Sequence, residues 1–217
     1  MTSSALTSAY PPFGLTIRAG SLTLRPVTDD VLPQLVRLAA DGIHDRATMP
    51  FYYPWTDAPP DRLPAEFVQY HWGIRARWSR AAWSLEFAVE HDGEIVGVQG
   101  VSTQDYLVTR TGETGSWLGQ RYQGHGIGTK MRQTICAFLF DDVDAAEIRS
   151  GAFTDNPASL AVSRKLGFRP DGTQRMARRG ALAEVQRLVL SPDAFVRGEP
   201  IEVVGIDAFR AFVGLDG

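Results

Sequence analysis

Apolar residues 15–27 alternate with polar ones (Leu15, Ile17, then Leu22, Leu24, Val27) around Ala19-Gly20, a pattern that predicts a hairpin or two short strands. Asp29-Asp30 precedes Leu32, Leu35, Leu38 and Ala39 at helical spacing, so a capped helix is expected to end near Gly42. A second helix over 64–80 would carry Phe67, His71, Ile74 and Trp78 on one face. Residues 85–90 and 95–102 read as the arms of a β-hairpin across His91-Asp92-Gly93-Glu94. A strand over 113–118 is followed by a helix over 129–140 that turns Met131, Ile135, Phe138 and Leu139 inward. After it come a buried strand (146–153), a helix opening at Asn156, and closing strands from Phe168 onward and over 185–190. Residues 1–14, rich in Ser, Thr, Pro and Gly, read as a loose tail. The body is expected over 15–190, with 191–217 packed on it as a strand (201–204) and a short helix (207–213).

The candidate chemistry begins where the 113–118 strand breaks. Trp117-Leu118-Gly119-Gln120-Arg121-Tyr122-Gln123-Gly124-His125-Gly126-Ile127-Gly128-Thr129-Lys130 is a glycine-rich turn opening into an amphipathic helix. Gly124, Gly126 and Gly128 remove Cβ atoms where backbone N–H groups converge, and a helix N-terminus offers free donors and a positive dipole end. Such a turn suits a pyrophosphate. Its spacing is not that of a Walker A loop, and the third glycine comes one residue early for a dinucleotide fingerprint.

Arg121-x-x-Gly124-x-Gly126 resembles the coenzyme A loop of the GNAT acyltransferase superfamily. Asn156-Pro157-Ala158-Ser159-Leu160-Ala161-Val162-Ser163-Arg164-Lys165-Leu166-Gly167-Phe168 resembles that family's second signature, in the right order and at a plausible distance. Independently of the family, Asn156 suits a helix N-cap, Pro157 the first helical position and Gly167 the left-handed residue that ends the helix. The resemblance implies an α/β (α+β) GNAT fold: a central mixed, mostly antiparallel twisted sheet flanked by helices in the order β-α-α-β-β-β-α-β-α-β-β. It implies acetyl-CoA or succinyl-CoA as acyl donor. The donor would be held by Trp117, Leu118, Arg121, Gly124, His125, Gly126, Ile127, Gly128 and Thr129, and by Asn156, Ser159 and Arg164 along the pantetheine arm.

Glu113-Thr114-Gly115-Ser116-Trp117-Leu118-Gly119 resembles the branch that acetylates ribosomal-protein N-termini. The 50–55 loop and Val98-Gln99-Gly100 resemble an actinobacterial subgroup that includes a succinyl-CoA user. Acyl transfer needs a proton acceptor for the amine, a donor for the departing thiolate and a fixed N–H for the carbonyl oxygen. By resemblance Glu113 is the base and Ser163 serves the thiolate, with Trp117 or Leu118 supplying the N–H. The 49–55 loop is expected to line the acceptor site through Phe51, Tyr52 and Trp55, with Arg46 beside it as a candidate cation for a succinyl carboxylate. His44 and His71 flank that side and read as packed or surface histidines rather than catalysts. A degenerate acyl-CoA-binding module without turnover is the alternative.

Composition narrows the partners. With 217 residues and 44% hydrophobic content the chain can bury a full core as one domain. A net charge of -3 gives no basic field for nucleic acid or a membrane surface, and no run approaches a membrane span. The single Cys136 excludes an intrachain disulfide and a cysteine metal cluster, and no metal is expected. No secretory signal is visible at Met1, so a cytoplasmic enzyme is expected, acting on a protein or small-molecule amine; a homodimer is left open.

Overall fold

The computed structural model describes residues 4–216. Its nine strands are β1 (Thr16–Ala19), β2 (Leu22–Pro26), β3 (Ser84–His91), β4 (Glu94–Thr103), β5 (Thr111–Leu118), β6 (Glu147–Phe153), β7 (Arg169–Arg178), β8 (Ala181–Leu190) and β9 (Glu202–Val204). The helices are α1 (Ser4–Ala9), α2 (Leu32–Asp41), α3 (Leu63–Ala76), α4 (Tyr106–Thr109), α5 (Ile127–Asp141), α6 (Pro157–Lys165) and α7 (Ile206–Val213). The strands form one sheet in the order β7-β8-β6-β5-β4-β3-β2-β1-β9. Every pair is antiparallel except β5 with β6.

Helices cover both faces, so the central strands are apolar on both sides. One face carries Phe87, Val89, Val101 and Leu118 against Ile127, Met131, Ile135 and Phe138 of α5, forming the main core. The other carries Ala88 and Val98 against Leu32, Leu35 and Ala39 of α2 and Phe67 of α3, with Trp117 packed alongside. The hairpin β3–β4 turns through Asp92 (φ 51°) and Gly93 (φ 83°), the left-handed pair that matches strand twist.

Three features depart from the sequence reading. The tail expected over 1–14 is ordered where it is described: α1 and a 3-10 turn (Pro11–Gly14) bring Tyr10 within ring contact of Phe13, Trp78 and Phe212. Residues 1–3 lie outside the described residues. The helix α3 stops at Ala76, so Trp78 leaves the helical stripe and joins that aromatic seal beside α7. The helix α2 has no side-chain cap; Asp30 instead accepts a hydrogen bond from Thr28. Beyond β8, β9 pairs with β1 and α7 buries Phe209 and Val213 in the main core.

Candidate active site

The glycine turn and the start of α5 form a row of free donors. Gly126 is the helix N-cap at φ 82°, and Gly124 sits at φ 80°; a Cβ on either would meet nothing within 4 Å. The first capping bonds run from Thr129 and Lys130 to the Gly126 carbonyl, 3.0 and 3.1 Å. Among the described residues, no protein acceptor takes the N–H groups of Gly124, His125, Gly126, Ile127 or Gly128. Five successive amides at the positive end of a 15-residue helix thus await an anion, and they fit a pyrophosphate. Gln123 fastens the turn, donating to the carbonyls of Ile43 (2.6 Å) and Leu118 (2.9 Å). Arg121 and His125 are exposed; Arg121 lies over the Tyr122 ring and 3.4 Å from Asp41, a solvated pair able to let go.

The sheet opens next to this turn. Strands β5 and β6 pair only over Thr111–Glu113 and Glu147–Arg149; thereafter β5 stays with β4 and β6 with β8. The fork is pinned by side chains: Thr114 donates to the Arg149 carbonyl and Ser150 to the Thr114 carbonyl, each 3.4 Å. Gly119 N–H bonds Val96 on β4, so by strand alternation Trp117 also turns its N–H to β4 while Ser116 and Leu118 face the fork. Of the two residues expected to offer an oxyanion N–H, Leu118 is therefore the one placed for it, with Ser116 beside it. Trp117 instead turns its ring to the opposite face, 5.8 Å from Trp55 and 6.1 Å from Phe67.

On the α5–α6 side of the fork lies a polar cluster. Asn156 caps α6, its Oδ1 accepting from Ser159 N–H (3.1 Å), while Arg164 is exposed. Ser163 is fully buried; its hydroxyl donates to the Ser159 carbonyl (3.0 Å) and accepts from Arg132 Nη1 (3.0 Å). Arg132 Nη2 reaches Ser116 Oγ on β5 (3.3 Å), and its Nε has no partner. This arginine is 6% exposed, and among the described residues no carboxylate pairs with it. Burial pulls its pKa down, and burial raises the neighbouring Cys136 thiol to about 12, so that thiol is no counter-ion. Helical spacing concealed Arg132: at one turn from Ile135 and Cys136 it falls on a face expected to be apolar.

The other face of the fork carries the residues expected to line the acceptor site. Phe51 and Trp55 pack into the α2–α3 cluster, 5.2 Å apart. Tyr52 lies edge-on to Phe153 with its hydroxyl over Gly151, and burial with the Glu113 charge raises it to about 12. At the β7–β8 turn Arg178, paired with Asp155, donates to the Met49 carbonyl (3.4 Å), and Arg179 holds Asp57 by a forked pair. Arg46 is not brought to the fork: it is exposed, and only its carbonyl is held, by Arg179 (3.0 Å). His44 bonds Thr56 (2.7 Å), and His71 is buried with a pKa held down to about 4 by desolvation. Glu113 stands exposed at the head of the fork.

Sequence reasoning passed over Glu86. Glu86 is half-buried; its carboxylate makes no hydrogen bond or ion pair among the described residues, and desolvation raises it to about 8. The folded chain keeps a proton there that the unfolded chain loses near 4.5, so stability falls as pH rises from 4.5 to 8. Glu86→Gln should melt higher than wild type by roughly 5 °C above pH 8, the gap closing toward acid. A pH-independent gap in calorimetry would mean that the carboxylate is well solvated.

A slotted sheet with an anion cradle at one end of the slot defines a class, the proteins that thread a CoA thioester between two splayed strands. The chain belongs to the acetyltransferase (GNAT) domain family, matched over residues 21–169. It is similar to the N-alpha-acetyltransferase RimI of Mycobacterium tuberculosis, 31% identical over 112 residues covering 45% of this chain and 65% of that protein. The curated relatives are matched over less than two thirds of their length. Its fold resembles Mycobacterium smegmatis RimJ in complex with CoA-disulfide (TM-score 0.71, 22% identity, 91% of this chain and 92% of that one). It also resembles a spermidine N-acetyltransferase SpeG chimera from Vibrio cholerae and hSSAT (TM-score 0.62, 18% identity, 79% and 96%). Among the described residues no helix is long and apolar enough to cross a membrane, and no cluster of potential metal ligands occurs.

Proposed function

We propose that the chain transfers an acyl group from a CoA thioester to a primary amine by direct attack in a ternary complex, in the manner of a protein N-terminal acetyltransferase. The observation that carries this reading is the continuity of the five free amides at 124–128 with the fork between β5 and β6. The pyrophosphate lies on those amides, with Arg121, His125 and Thr129 around it. The pantetheine arm runs down the free edge of β5 beside α6, past Asn156, Ser159 and Arg164. That course brings the thioester to the Leu118 and Ser116 amides on one side and to Ser163 on the other.

The chemistry then divides between the faces. As the amine attacks, the carbonyl oxygen gains charge and an N–H of β5 stabilises it without reorganising. The C–S bond breaks, and the thiolate meets Ser163, whose oxygen already accepts from Arg132 and whose proton can turn from the Ser159 carbonyl to sulfur. Ser163→Ala should lower kcat about ten-fold or more with the thioester Kd nearly unchanged, since the bond forms mainly in the transition state. Unaltered turnover, with chemistry shown to limit the rate, would return Ser163 to packing.

The acceptor enters between Tyr52 and α3, where Phe51 and Trp55 form the wall and exposed Glu113 draws a cation to the rim. The experiment is a thermal-shift comparison of acetyl-, succinyl- and free CoA, followed by thiol release with N-terminal peptides, lysine and polyamines. Stabilisation by CoA with release for at least one amine is expected. Binding without release from any acceptor would make the chain an acyl-CoA-binding module.

A further inference from the structure

Four residues from four strands line up on the acceptor face. Glu86 of β3 is opposite Gly100 of β4, and Gly100 is opposite Gly115 of β5. Across the fork, β6 offers Gly151 on the same face, beneath the Tyr52 hydroxyl. The Glu86 side chain leans along this row: a Cβ on Gly100 would lie 2.6 Å from its Oε1 and 3.0 Å from its Oε2. A Cβ on Gly115 would meet nothing within 4 Å, and Gly115 is exposed. The result is a trough one strand spacing from the fork, about 5 Å. Its end wall is the Glu86 carboxylate, lying over Gly100.

We propose that Glu86 is the group that receives the acceptor's amino group, holding it in the trough over Gly115 and taking its proton before attack. The inference rests on the acyl-transfer reading above. The substrate class that fits is a primary ammonium carried on backbone, the α-amino group of the first residue of a protein chain, since the glycine floor lets a backbone lie close to the sheet. An ammonium N–H passes its proton to the Glu86 carboxylate, the freed lone pair bonds to the thioester carbon, and the C–S bond breaks. The second amine proton leaves with the thiolate as CoA thiol, and Glu86 returns its proton to solvent along the exposed edge of Gly115.

The surrounding charges agree with this role. The titratable groups around Glu86 are His71 and Arg75 of α3 and Tyr10, which line a small cavity with it on the β2 side, and Tyr70 of α3, which feels the charges of Glu86 and Arg77. Arg75 is occupied by Asp29 at 2.6 Å, and burial keeps His71 neutral and the Tyr70 hydroxyl protonated. None of them neutralises Glu86, so an incoming ammonium would be its first partner.

The test uses the full chain, acetyl-CoA and a set of tetrapeptides with free N-termini, with Glu86→Gln and Gly115→Val as variants. Glu86→Gln should lose at least 100-fold in kcat/KM for the peptide while its acetyl-CoA Kd stays within about two-fold. The wild-type limb near pH 8 should vanish in the variant, and it should not move when peptides of different amino pKa are compared. Gly115→Val fills the trough without meeting protein, so it should fold, bind acetyl-CoA normally and raise KM for the peptide at least ten-fold. Wild-type-like kcat/KM and an intact limb in Glu86→Gln would overturn the assignment, as would peptide KM unchanged in Gly115→Val. Failure of the wild-type chain to bind acetyl-CoA in calorimetry would instead remove the acyl-transfer reading, and the role of Glu86 with it.

Discussion

Gly126→Asp is expected to weaken acetyl-CoA binding by more than about 100-fold, or about 2.7 kcal/mol, in a chain that still folds. Gly126 is the N-cap of α5 at φ 82°, and the space where a side chain would begin is open, so steric exclusion is not the cause. Aspartate tolerates the left-handed region better than most residues, which keeps the backbone penalty small. The effect is electrostatic: a carboxylate among the free amides of 124–128 both repels a pyrophosphate and competes for its donors. Gly126→Asn separates the terms, having the same backbone tolerance and no charge, and should lose several-fold less. Isothermal calorimetry on both variants checks this. Equal affinity in Gly126→Asp and wild type would place the anion elsewhere.

The glycine turn was legible because it is local. Glycines at fixed offsets, an arginine before them and a helix behind them occupy one continuous stretch, and the structure turns that stretch into unpaired amides. The Asn156 cap and the β3–β4 hairpin were legible for the same reason: each is decided within a few residues. What the chain concealed is non-local. Glu86 alternates with Leu85 and Phe87 as any strand carboxylate would, and only pairing across β4 and β5 reveals the glycines it leans over. The motif leaves Trp117 or Leu118 to offer the N–H, and only strand parity, with the Trp117 ring turned toward α2 and α3, separates the two. The tail failed similarly: Tyr10 becomes ordered through Phe212, some 200 residues away in sequence, a contact no local pattern encodes.

Arg132→Met is expected to lower kcat by about 100-fold or more while leaving the acetyl-CoA Kd within a few-fold. The reasoning starts from an imbalance. A guanidinium buried without a carboxylate is unfavourable, since two serine hydroxyls replace water poorly, and methionine of similar length would fill the same space without that penalty. The variant should therefore fold at least as stably as wild type. An uncompensated cation beneath the fork makes sense if the opposite charge appears only during reaction, and the thiolate released beside Ser163 is that charge. Bound CoA then reports on it without turnover: Arg132 should lower the pKa of the CoA thiol, read as thiolate ultraviolet absorbance on pH titration, and Arg132→Met should abolish the shift. A purely structural arginine would leave that titration unchanged while altering the melting temperature. Glu86 and Arg132 would then stand on opposite faces of one slot, the first placed to take a proton from the ammonium and the second placed for the thiolate.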